Sequence, residues 1–487
     1  MRESIDARSS ARWVSVSQAA RSLIQLTAVM VLARLLTPAE YGLMALANIV
    51  AGLAYSLRDF GTTPAVIRRP TLDPSFESAV FWLNLTVGVV LSLLVLASAW
   101  PLTRYFDAPD LSGVLVWLSP LFLVGSLSIL PQAKLERAAR FRQLAIIEVV
   151  AAAAGALVAI GMALWGAGVY SLVMQAHLPV WITSACLLVV SDRTRPRTAG
   201  LGGAMRELLQ TSVPMTLYAI LTQLRAGIDS FVIGRLFGAH WLGSYSVASK
   251  VALTPMANLS AVCGRAALPS YSAALQDTAR LREMYLRSIR LVAFISFPAM
   301  ATLWTFRQVF ADLALGSQWS DAVPILAWLA PIGALGGLEA PTASVLIAQG
   351  RARVLSRLTL LAAILVGLGL VVGGQFGISP MMGGLFVATL ISVSVSMVMA
   401  GRALGLRLSA PFVALLPSLL LAVVSVLVMK MVENQLVGMP LLLRVALSLA
   451  AGVAAYFVLA RWVARSTASD LMSLVPGLHR SAGGVSR

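Results

Sequence analysis

The chain has 487 residues, of which 59% are hydrophobic and only 12% are charged, and its mean hydropathy is +0.85. A soluble protein carries about a quarter charged residues, so this composition excludes a soluble globular protein and predicts one that crosses a membrane many times. The formal net charge is +17, but the basic residues lie in short loops between apolar segments. That pattern is typical of topology signals and does not predict nucleic-acid binding.

In chain order, the first informative feature is a segment that occurs twice. Residues 31–51, VLARLLTPAEYGLMALANIVA, return at a constant offset of 201 as residues 232–252, VIGRLFGAHWLGSYSVASKVA. Each copy has an apolar run, one arginine, a short loop, a glycine and a second apolar run. This order predicts a membrane-embedded helical hairpin in each half, and such repeats often mark transporters. The identical pairs are Val31/Val232, Arg34/Arg235, Leu35/Leu236, Gly42/Gly243, Ala47/Ala248, Val50/Val251 and Ala51/Ala252.

The apolar segments predict an all-α polytopic membrane protein with about 14 transmembrane helices, because a span needs about 20 mainly apolar residues. The predicted spans are 13–34, 41–67, 77–99, 111–131, 144–164, 168–190, 208–234, 241–264, 288–310, 320–347, 355–373, 379–401, 410–429 and 440–462.

Basic residues distinguish the two sets of loops. One set of alternating loops, together with both termini, contains 27 of the 37 Lys and Arg residues. The positive-inside rule therefore places both termini in the cytoplasm. The outer loops are short, and the chain has no nucleotide-binding, zinc-protease or serine-hydrolase motif. We expect a transporter and not an enzyme, with no catalytic residues.

Residues 276–290, QDTARLREMYLRSIR, combine apolar and basic side chains at helical spacing. This pattern predicts an amphipathic cytoplasmic helix that lies on an anionic membrane surface. An element that couples to a gate is the alternative interpretation.

Six basic residues lie within apolar segments or at their ends, and they are Arg21, Arg58, Arg225, Lys250, Arg307 and Arg444. The last two lie near the outer ends of their spans, where a long side chain reaches water. The other four lie deeper, and Arg21 and Arg58 are both roughly 12–15 Å from the inner surface at 1.5 Å per helical residue. A charge at that depth costs several kcal/mol and is expected to face a wet cavity or a partner.

Two interpretations of these deep charges are open. One is pairing inside the protein, because Asp229 follows Arg225 by one helical turn and Asp59 adjoins Arg58. The other is a cationic cavity, because few acidic residues reach this depth and the guanidinium group matches phosphate oxygens. We favour the cavity and predict an anionic substrate. The predicted substrate-binding residues are Arg21, Arg58, Arg225, Lys250 and Gln25.

Some ionisable side chains within the spans are candidates for ion coupling, and they are Asp59, Glu148, Asp229 and His177. His177 is the only mid-membrane histidine and could titrate during a transport cycle, whereas a satisfied core histidine is the alternative. The coupling ion would be H⁺ or Na⁺. We expect no other cofactor and no metal site.

Three regions of the chain resemble the polysaccharide-transport (Wzx-type) flippases of the multidrug/oligosaccharidyl-lipid/polysaccharide exporter superfamily. ARLLTPAEYGLMALANIVAGL at 33–53, followed by LRDFGTTPAVIRRP at 57–70, resembles the opening hairpin of that family. PSYSAALQDTARLREMYLRSIRL at 269–291 resembles its segment between spans eight and nine. FRQLAIIEVVAAAAG at 141–155 and GAGVYSLV at 166–173 resemble its fifth and sixth spans.

The resemblance implies two pseudo-symmetric six-helix bundles that face each other across a V-shaped cavity, followed by two further helices. On this chain they would be residues 1–190, a cytoplasmic linker 191–207, residues 208–404, and residues 405–487 with a cytoplasmic tail. It also implies alternating-access translocation of undecaprenyl-pyrophosphate-linked oligosaccharides from the cytoplasmic to the periplasmic leaflet of the bacterial inner membrane. The product would serve O-antigen, capsule or exopolysaccharide synthesis. A polysaccharide polymerase and chain-length or export proteins would be partners.

Three other functions are weighed against this one. A lipid II flippase is the nearest alternative in function. A multidrug cation exporter of the same fold would have a cavity dominated by Asp and Glu, which these spans lack. A membrane glycan polymerase or ligase would need a long outer loop with catalytic residues, and none is predicted.

Overall fold

A computed structural model of the protein describes residues 2–69, 71–191, 196 and 201–463. Over these ranges the chain is helical, with short turns and no strand. Residues 192–195 and 197–200 of the predicted linker 191–207, and the predicted tail after residue 463, lie outside the described residues. The prediction of an all-α polytopic membrane protein is confirmed.

Eighteen α-helices follow one another in the described part of the chain, with a short π-helix (Ala311–Leu315) and a 3-10 helix (Ser317–Trp319) between the twelfth and the thirteenth. They are α1 (Arg2–Leu35), α2 (Pro38–Leu57), α3 (Thr62–Arg68), α4 (Pro74–Tyr105), α5 (Leu111–Leu118), α6 (Pro120–Ser126), α7 (Ile129–Arg137), α8 (Phe141–Leu164), α9 (Val169–Val190), α10 (Leu201–Ala273), α11 (Thr278–Thr305), α12 (Arg307–Phe310), α13 (Ala322–Gly336), α14 (Glu339–Ala348), α15 (Ala352–Gly374), α16 (Ile378–Ala403), α17 (Ala410–Gln435) and α18 (Leu441–Val463).

The number of spans depends on how bent helices are counted. Within the described ranges, 11 helices are long and apolar enough to cross a membrane, and a bent pair over 111–137 would make 12. The predicted spans 208–234 and 241–264 correspond to the two halves of α10. Neither half is among the helices that meet this criterion in the described ranges. The predicted number of 14 is therefore not confirmed by this criterion.

The repeated segment breaks at the same place in both copies. In the first copy, Thr37 caps α2: its hydroxyl oxygen accepts from the Glu40 backbone N–H, and the Glu40 carboxylate accepts from the Thr37 N–H at 2.7 Å. This reciprocal pair is a capping box, for which TPAE is a sequence signature. In the second copy, Gly238 occupies the position of Thr37 and interrupts α10 with φ of 77°, a left-handed conformation that favours glycine.

The described helices form two compact units. Unit 1 comprises residues 1–247 and 314–318, and unit 2 comprises residues 248–313 and 319–487. In unit 1, α8 packs against α1 and α9, and α4 packs against α5 and α6. The segment 314–318 belongs to unit 1 because the Gln318 amide donates to the carbonyl oxygens of Ala33 and Leu36 at 2.6 and 3.0 Å. It thereby satisfies carbonyl groups that the end of α1 leaves open.

The two copies of the repeat contact each other within unit 1. A Cβ atom added at Gly42 would lie 1.7 Å from the carbonyl oxygen of Ala239, and one added at Gly243 would lie 1.7 Å from that of Pro38. At the 201-residue offset, Pro38 aligns with Ala239 and Gly42 with Gly243. The two contacts are therefore equivalent, and each requires a glycine for close backbone approach.

In unit 2, α11 packs against α13 and α17, and α16 packs against α13 and α15. The predicted surface helix 276–290 is the first part of α11, which continues without a break into the span. Its apolar side chains Leu281, Tyr285 and Ile289 are 0–1% exposed and belong to the core of the unit. The apolar face is thus covered by protein and does not lie on a lipid surface, so the surface-helix prediction was wrong.

Candidate functional site

Arg21 and Glu148 form an ion pair between α1 and α8. Their closest atoms, Nη1 of Arg21 and Oε2 of Glu148, are 3.1 Å apart, and Nη2 of Arg21 donates to Oε1 of Gln18 at 2.9 Å. The two charged side chains remain 32% and 20% exposed. The sequence analysis predicted different roles for the two residues: substrate binding for Arg21 and ion coupling for Glu148. Gln25, one turn further along α1, is exposed.

Arg58 lies at the C-terminal end of α2, where a break separates α2 from α3. Its guanidinium carbon is 4.6 Å from the centroid of the Tyr55 ring. A Cβ atom added at Gly125 would lie 2.6 Å from Nη1 of Arg58, so the guanidinium group occupies the space that this glycine leaves free. Within the described residues, Arg58 forms no ion pair with a carboxylate.

Asp59 stabilises the break that follows Arg58. One of its carboxylate oxygens accepts from the Thr62 hydroxyl at 2.9 Å, and from the Thr63 backbone N–H and hydroxyl at 3.0 and 2.8 Å. Phe60 and Gly61 adopt φ values of 47° and 68°. A carboxylate that caps the first turn of a helix is a common structural device, and here it explains why a charged residue follows α2 inside the membrane.

Arg225 and Asp229 lie in the first half of α10. Asp229 accepts from the Tyr245 hydroxyl and, at 2.8 Å, from the Ser230 backbone N–H. Nε of Arg225 is buried without a hydrogen-bond partner, and no ion pair joins Arg225 to a described carboxylate. The Arg225–Asp229 pairing considered from their spacing is therefore absent from these ranges.

Polar contacts connect this part of α10 to α2. The Ser56 hydroxyl donates to Oε1 of Gln223 at 3.1 Å, and Nε2 of Gln223 would lie 2.8 Å from a Cβ atom at Gly52. Neither Ser56 nor Gln223 is among the predicted substrate-binding or ion-coupling residues. The signal that could have found them is the glycine, serine and glutamine at helical positions beside the deep arginines, since such residues often bridge membrane helices.

No contact described for unit 1 brings the predicted residue His177 to these arginines. His177 on α9 is 5% exposed, its Nδ1 lies 3.0 Å from the carbonyl oxygen of Val173, and its ring packs edge-on against Trp181. Its Nε2 is buried without a hydrogen-bond partner, so the ring is only partly satisfied and its role in ion coupling stays a prediction. Lys250 belongs to unit 2, on the second half of α10, and is exposed.

The arrangement in unit 1 leaves a surplus of cationic groups. Arg21 is neutralised by Glu148, and the carboxylates of Asp59 and Asp229 are occupied by hydroxyl and N–H donors. Arg58 and Arg225 retain their guanidinium groups without a carboxylate in the described residues. Such groups bind phosphate oxygens well. Over the same ranges, no group of three or more His, Cys, Asp or Glu side chains is placed to hold a metal ion.

The many apolar helices in the described ranges define a multi-pass membrane protein. Residues 31–324, more than half of the chain, match the family described as polysaccharide biosynthesis protein. The chain belongs to this family, which confirms the resemblance proposed from its opening hairpin.

Curated relatives cover much of the chain. The lipopolysaccharide biosynthesis protein WzxC of Escherichia coli K12 is 26% identical over 87% of this chain and 88% of its own length. The teichuronic acid biosynthesis protein TuaB of Bacillus subtilis is 25% identical over 93% and 94%. The succinoglycan biosynthesis transport protein ExoT of Rhizobium meliloti is 28% identical over 65% and 64%. This family and these relatives confirm the prediction of a transporter and not an enzyme.

Solved structures show the same fold. The lipid II flippase MurJ in an inward closed conformation superposes with a TM-score of 0.74, at 12% identity, over 94% of this chain and 99% of MurJ. An inward-facing multidrug resistance MATE family transporter of the MOP superfamily superposes with a TM-score of 0.62, at 16% identity, over 79% and 94%. At these identities the comparison establishes the fold alone.

Proposed function

We propose that the protein is a flippase that moves undecaprenyl-pyrophosphate-linked oligosaccharide repeat units from the cytoplasmic to the periplasmic leaflet by alternating access. It would reside in the bacterial inner membrane with both termini in the cytoplasm and would supply O-antigen, capsule or exopolysaccharide synthesis. The observation that carries the proposal is the pair Arg58 and Arg225, two deep guanidinium groups that no described carboxylate neutralises. Their occurrence in a polysaccharide biosynthesis family supports an anionic, glycan-bearing substrate.

In this proposal the arginines bind the pyrophosphate group. Each guanidinium can donate two parallel N–H bonds to phosphate oxygens, and these bonds are strong where water is excluded. Arg58 is suited to this role because Gly125 leaves room for its side chain and the Tyr55 ring supports the cation. Lys250 is the corresponding candidate in unit 2. Gln25 would contact the sugars as a hydrogen-bonding side chain on α1.

Arg21 and Glu148 suggest how an ion could be coupled to transport. The pyrophosphate and the Glu148 carboxylate would compete for the guanidinium group of Arg21, which lies 3.1 Å from Glu148. Substrate binding would free Glu148 to take up H⁺ or Na⁺, and loss of that ion would restore the pair and expel the substrate. Asp229 is a second candidate because it is held by the Tyr245 hydroxyl and not by an arginine. Asp59 is a weaker candidate because one of its carboxylate oxygens caps the start of α3. His177 stays a candidate through Nε2, which is buried without a hydrogen-bond partner.

A lipid II flippase is the second candidate, since the fold matches MurJ with a TM-score of 0.74. Both substrates carry a lipid pyrophosphate, so the cationic residues suit either, and the curated relatives named for lipopolysaccharide and succinoglycan favour the first. A cation exporter is disfavoured because a cationic drug would meet unneutralised arginines.

Purified protein in liposomes provides the test. We expect a fluorescent undecaprenyl-pyrophosphate oligosaccharide to become accessible to a membrane-impermeant reductant on the far side at least tenfold faster than in empty liposomes. The Arg58→Gln/Arg225→Gln variant should abolish the acceleration. Transport of a cationic dye without transport of the glycolipid would contradict the proposal, and equal transport of lipid II would favour the second candidate.

A further inference from the structure

Unit 2 contains a cationic pocket at the ends of its helices. The cavity has a volume of about 440 Å³ and lies between the end of α11, α12, the end of α17 and the start of α18. We call it the outer cationic pocket, since its basic residues lie at the outer ends of the spans by the positive-inside rule. Its charged residues are Arg307, Lys430, Glu433 and Arg444.

Three cations and one carboxylate line this pocket, so its charge is positive. The single ion pair, between Nη2 of Arg444 and Oε1 of Glu433, is long at 3.9 Å. Nε of Arg444 is buried without a hydrogen-bond partner. Lys430 forms no ion pair with any carboxylate that the structure describes. A single basic side chain at the end of a span is explained if it reaches water. That explanation does not account for three basic side chains that line one cavity.

Trp304 positions two of the cations. The guanidinium carbon of Arg307 is 5.0 Å and Nζ of Lys430 is 4.8 Å from the centroid of the Trp304 ring. Nη1 of Arg307 also donates to the Trp304 carbonyl oxygen at 2.6 Å. A cation near an aromatic face is held by the quadrupole of the ring. The indole therefore keeps both charges at the edge of the pocket although they come from different helices.

The same tryptophan borders a second, apolar cavity of about 780 Å³ between α11, α13, α16 and α17. Along α17 this apolar cavity is lined from Phe412 to Leu427, a rise of roughly 22 Å at 1.5 Å per residue. Leu427, Met431 and Val437, beside the charged residues, are 62–67% exposed. Exposed apolar side chains at the end of a membrane helix face lipid, so the pocket lies where headgroups meet hydrocarbon.

We propose that the outer cationic pocket binds the phosphate of an anionic lipid in the outer leaflet, with a hydrocarbon chain in the adjoining apolar cavity. A soluble anion would use only the charged pocket. Trp304, which holds two cations of the charged pocket, also lines the apolar cavity, and this suits a ligand with a phosphate at one end and a long hydrocarbon chain. Both a resident phospholipid and a transported lipid pyrophosphate have this chemistry, and the inference does not depend on which of them the protein moves.

Native mass spectrometry of the purified full-length protein with added phosphatidylglycerol or phosphatidylcholine tests this site. We expect retained phosphatidylglycerol to fall about fivefold for each of Arg307→Gln, Lys430→Gln and Arg444→Gln, and about a hundredfold for the triple variant, since each basic residue near a membrane contributes a similar share. The conservative Lys430→Arg variant should retain the lipid, which separates loss of charge from misfolding. Arg104→Gln is the matched control, because Arg104 also lies over a tryptophan, 3.8 Å from the Trp100 ring centroid, on α4 of unit 1.

Competition then identifies the source of the phosphate. If a polyprenyl pyrophosphate displaces phosphatidylglycerol from the wild-type protein, the pocket binds the transported lipid, and if it does not, the pocket binds a resident phospholipid. Either result supports a lipid-phosphate site. Unchanged phosphatidylglycerol retention in the triple variant would overturn the proposal. The proposal would also be overturned if the triple variant lost the binding of inorganic pyrophosphate but retained as much lipid as the wild-type protein.

Discussion

Arg58 is the residue whose surroundings most directly suggest a ligand. It lies beside a glycine that leaves space for its guanidinium and has no carboxylate partner among the described residues. We predict that Arg58→Ala abolishes surface polysaccharide export while membrane insertion stays normal, because a deep cation is costly unless it serves a ligand. The measurement is surface polymer in complemented deletion cells, with immunoblotting of the membrane fraction. Normal polymer in this variant would contradict the role.

Gly125 permits a second test of the same side chain without removing its charge. We predict that Gly125→Leu lowers export at least tenfold, because the new side chain would occupy the space of Nη1 of Arg58. Gly161→Leu is the matched control, since a Cβ atom there would meet nothing within 4 Å. Equal effects of the two leucines on export would show that displacement of Arg58 is not the cause.

The Arg21–Glu148 pair is expected to stabilise the protein and is proposed to couple an ion to transport. Exchanging the two charges separates these two roles. Because both side chains are partly exposed, we expect Glu148→Gln to lower the free energy of unfolding by on the order of 1 kcal/mol. The Arg21→Glu/Glu148→Arg double variant should recover most of that loss in a thermal unfolding assay but remain defective in transport. Full recovery of transport would mean that the pair only joins α1 to α8.

Residue spacing predicted the deep charges but not their partners. Neighbours three or four positions apart on one helix can be found from sequence, which is how Arg225 and Asp229 came to be considered as a pair. The Asp229 carboxylate instead accepts a hydrogen bond from the Tyr245 hydroxyl, which lies beyond the break at Gly238. Arg21 pairs with Glu148, which is far away in sequence but lies on a helix that packs against α1. Such contacts depend on how helices pack, and no local pattern encodes them.

At the scale of elements, the two copies of the repeat meet through glycines that cannot be enlarged without moving backbone. We predict that Gly42→Val lowers the unfolding temperature and abolishes export, because its Cβ atom would lie 1.7 Å from the carbonyl oxygen of Ala239. Gly161→Val, in open space on α8, should change neither by a comparable amount. The two variants are compared by thermal unfolding in detergent and by surface polymer. A stable, active Gly42→Val protein would contradict the close approach.

The bounds of most helices follow from hydropathy, while the breaks inside spans do not. The predicted span 111–131 is divided into α5, α6 and α7, and the predicted span 320–347 contains α13 and α14. Both divided spans contain a related sequence, WLSPLFLVGSL at 117–127 and WLAPIGALGGL at 328–338, which ends at the break in each copy. A second repeat was thus available to predict the breaks. Hydropathy misses them because a membrane bundle tolerates glycine and proline where neighbours satisfy the backbone.

At the scale of the whole molecule, the distribution of basic loops predicts the orientation of the chain. We expect a membrane-impermeant maleimide to label an Asp110→Cys variant in intact cells and an Arg351→Cys variant only after permeabilisation, since the positive-inside rule places these exposed residues on opposite sides. Cys186 and Cys263, the two native cysteines, are replaced by Ser in both variants. The opposite labelling pattern would reverse the topology and move the outer cationic pocket to the cytoplasmic face.

Composition and the repeated hairpin were sufficient to recognise the class of protein. A membrane requires long apolar helices, which composition reveals, and the sequence of the hairpin resembles that of one transporter family. The transported molecule is not encoded in this way. It depends on side chains from several helices converging on one ligand, as Arg58 beside Tyr55 and Gly125 illustrates.

The most direct test of the flippase proposal is the location of lipid-linked glycans in cells that lack the gene. We predict that complete undecaprenyl-linked repeat units accumulate in the cytoplasmic leaflet, that surface polymer is lost, and that both are restored by the wild-type gene but not by Arg58→Ala. Repeat units that reach the periplasmic leaflet normally and stay unpolymerised would place the protein at a later assembly step and contradict the proposal.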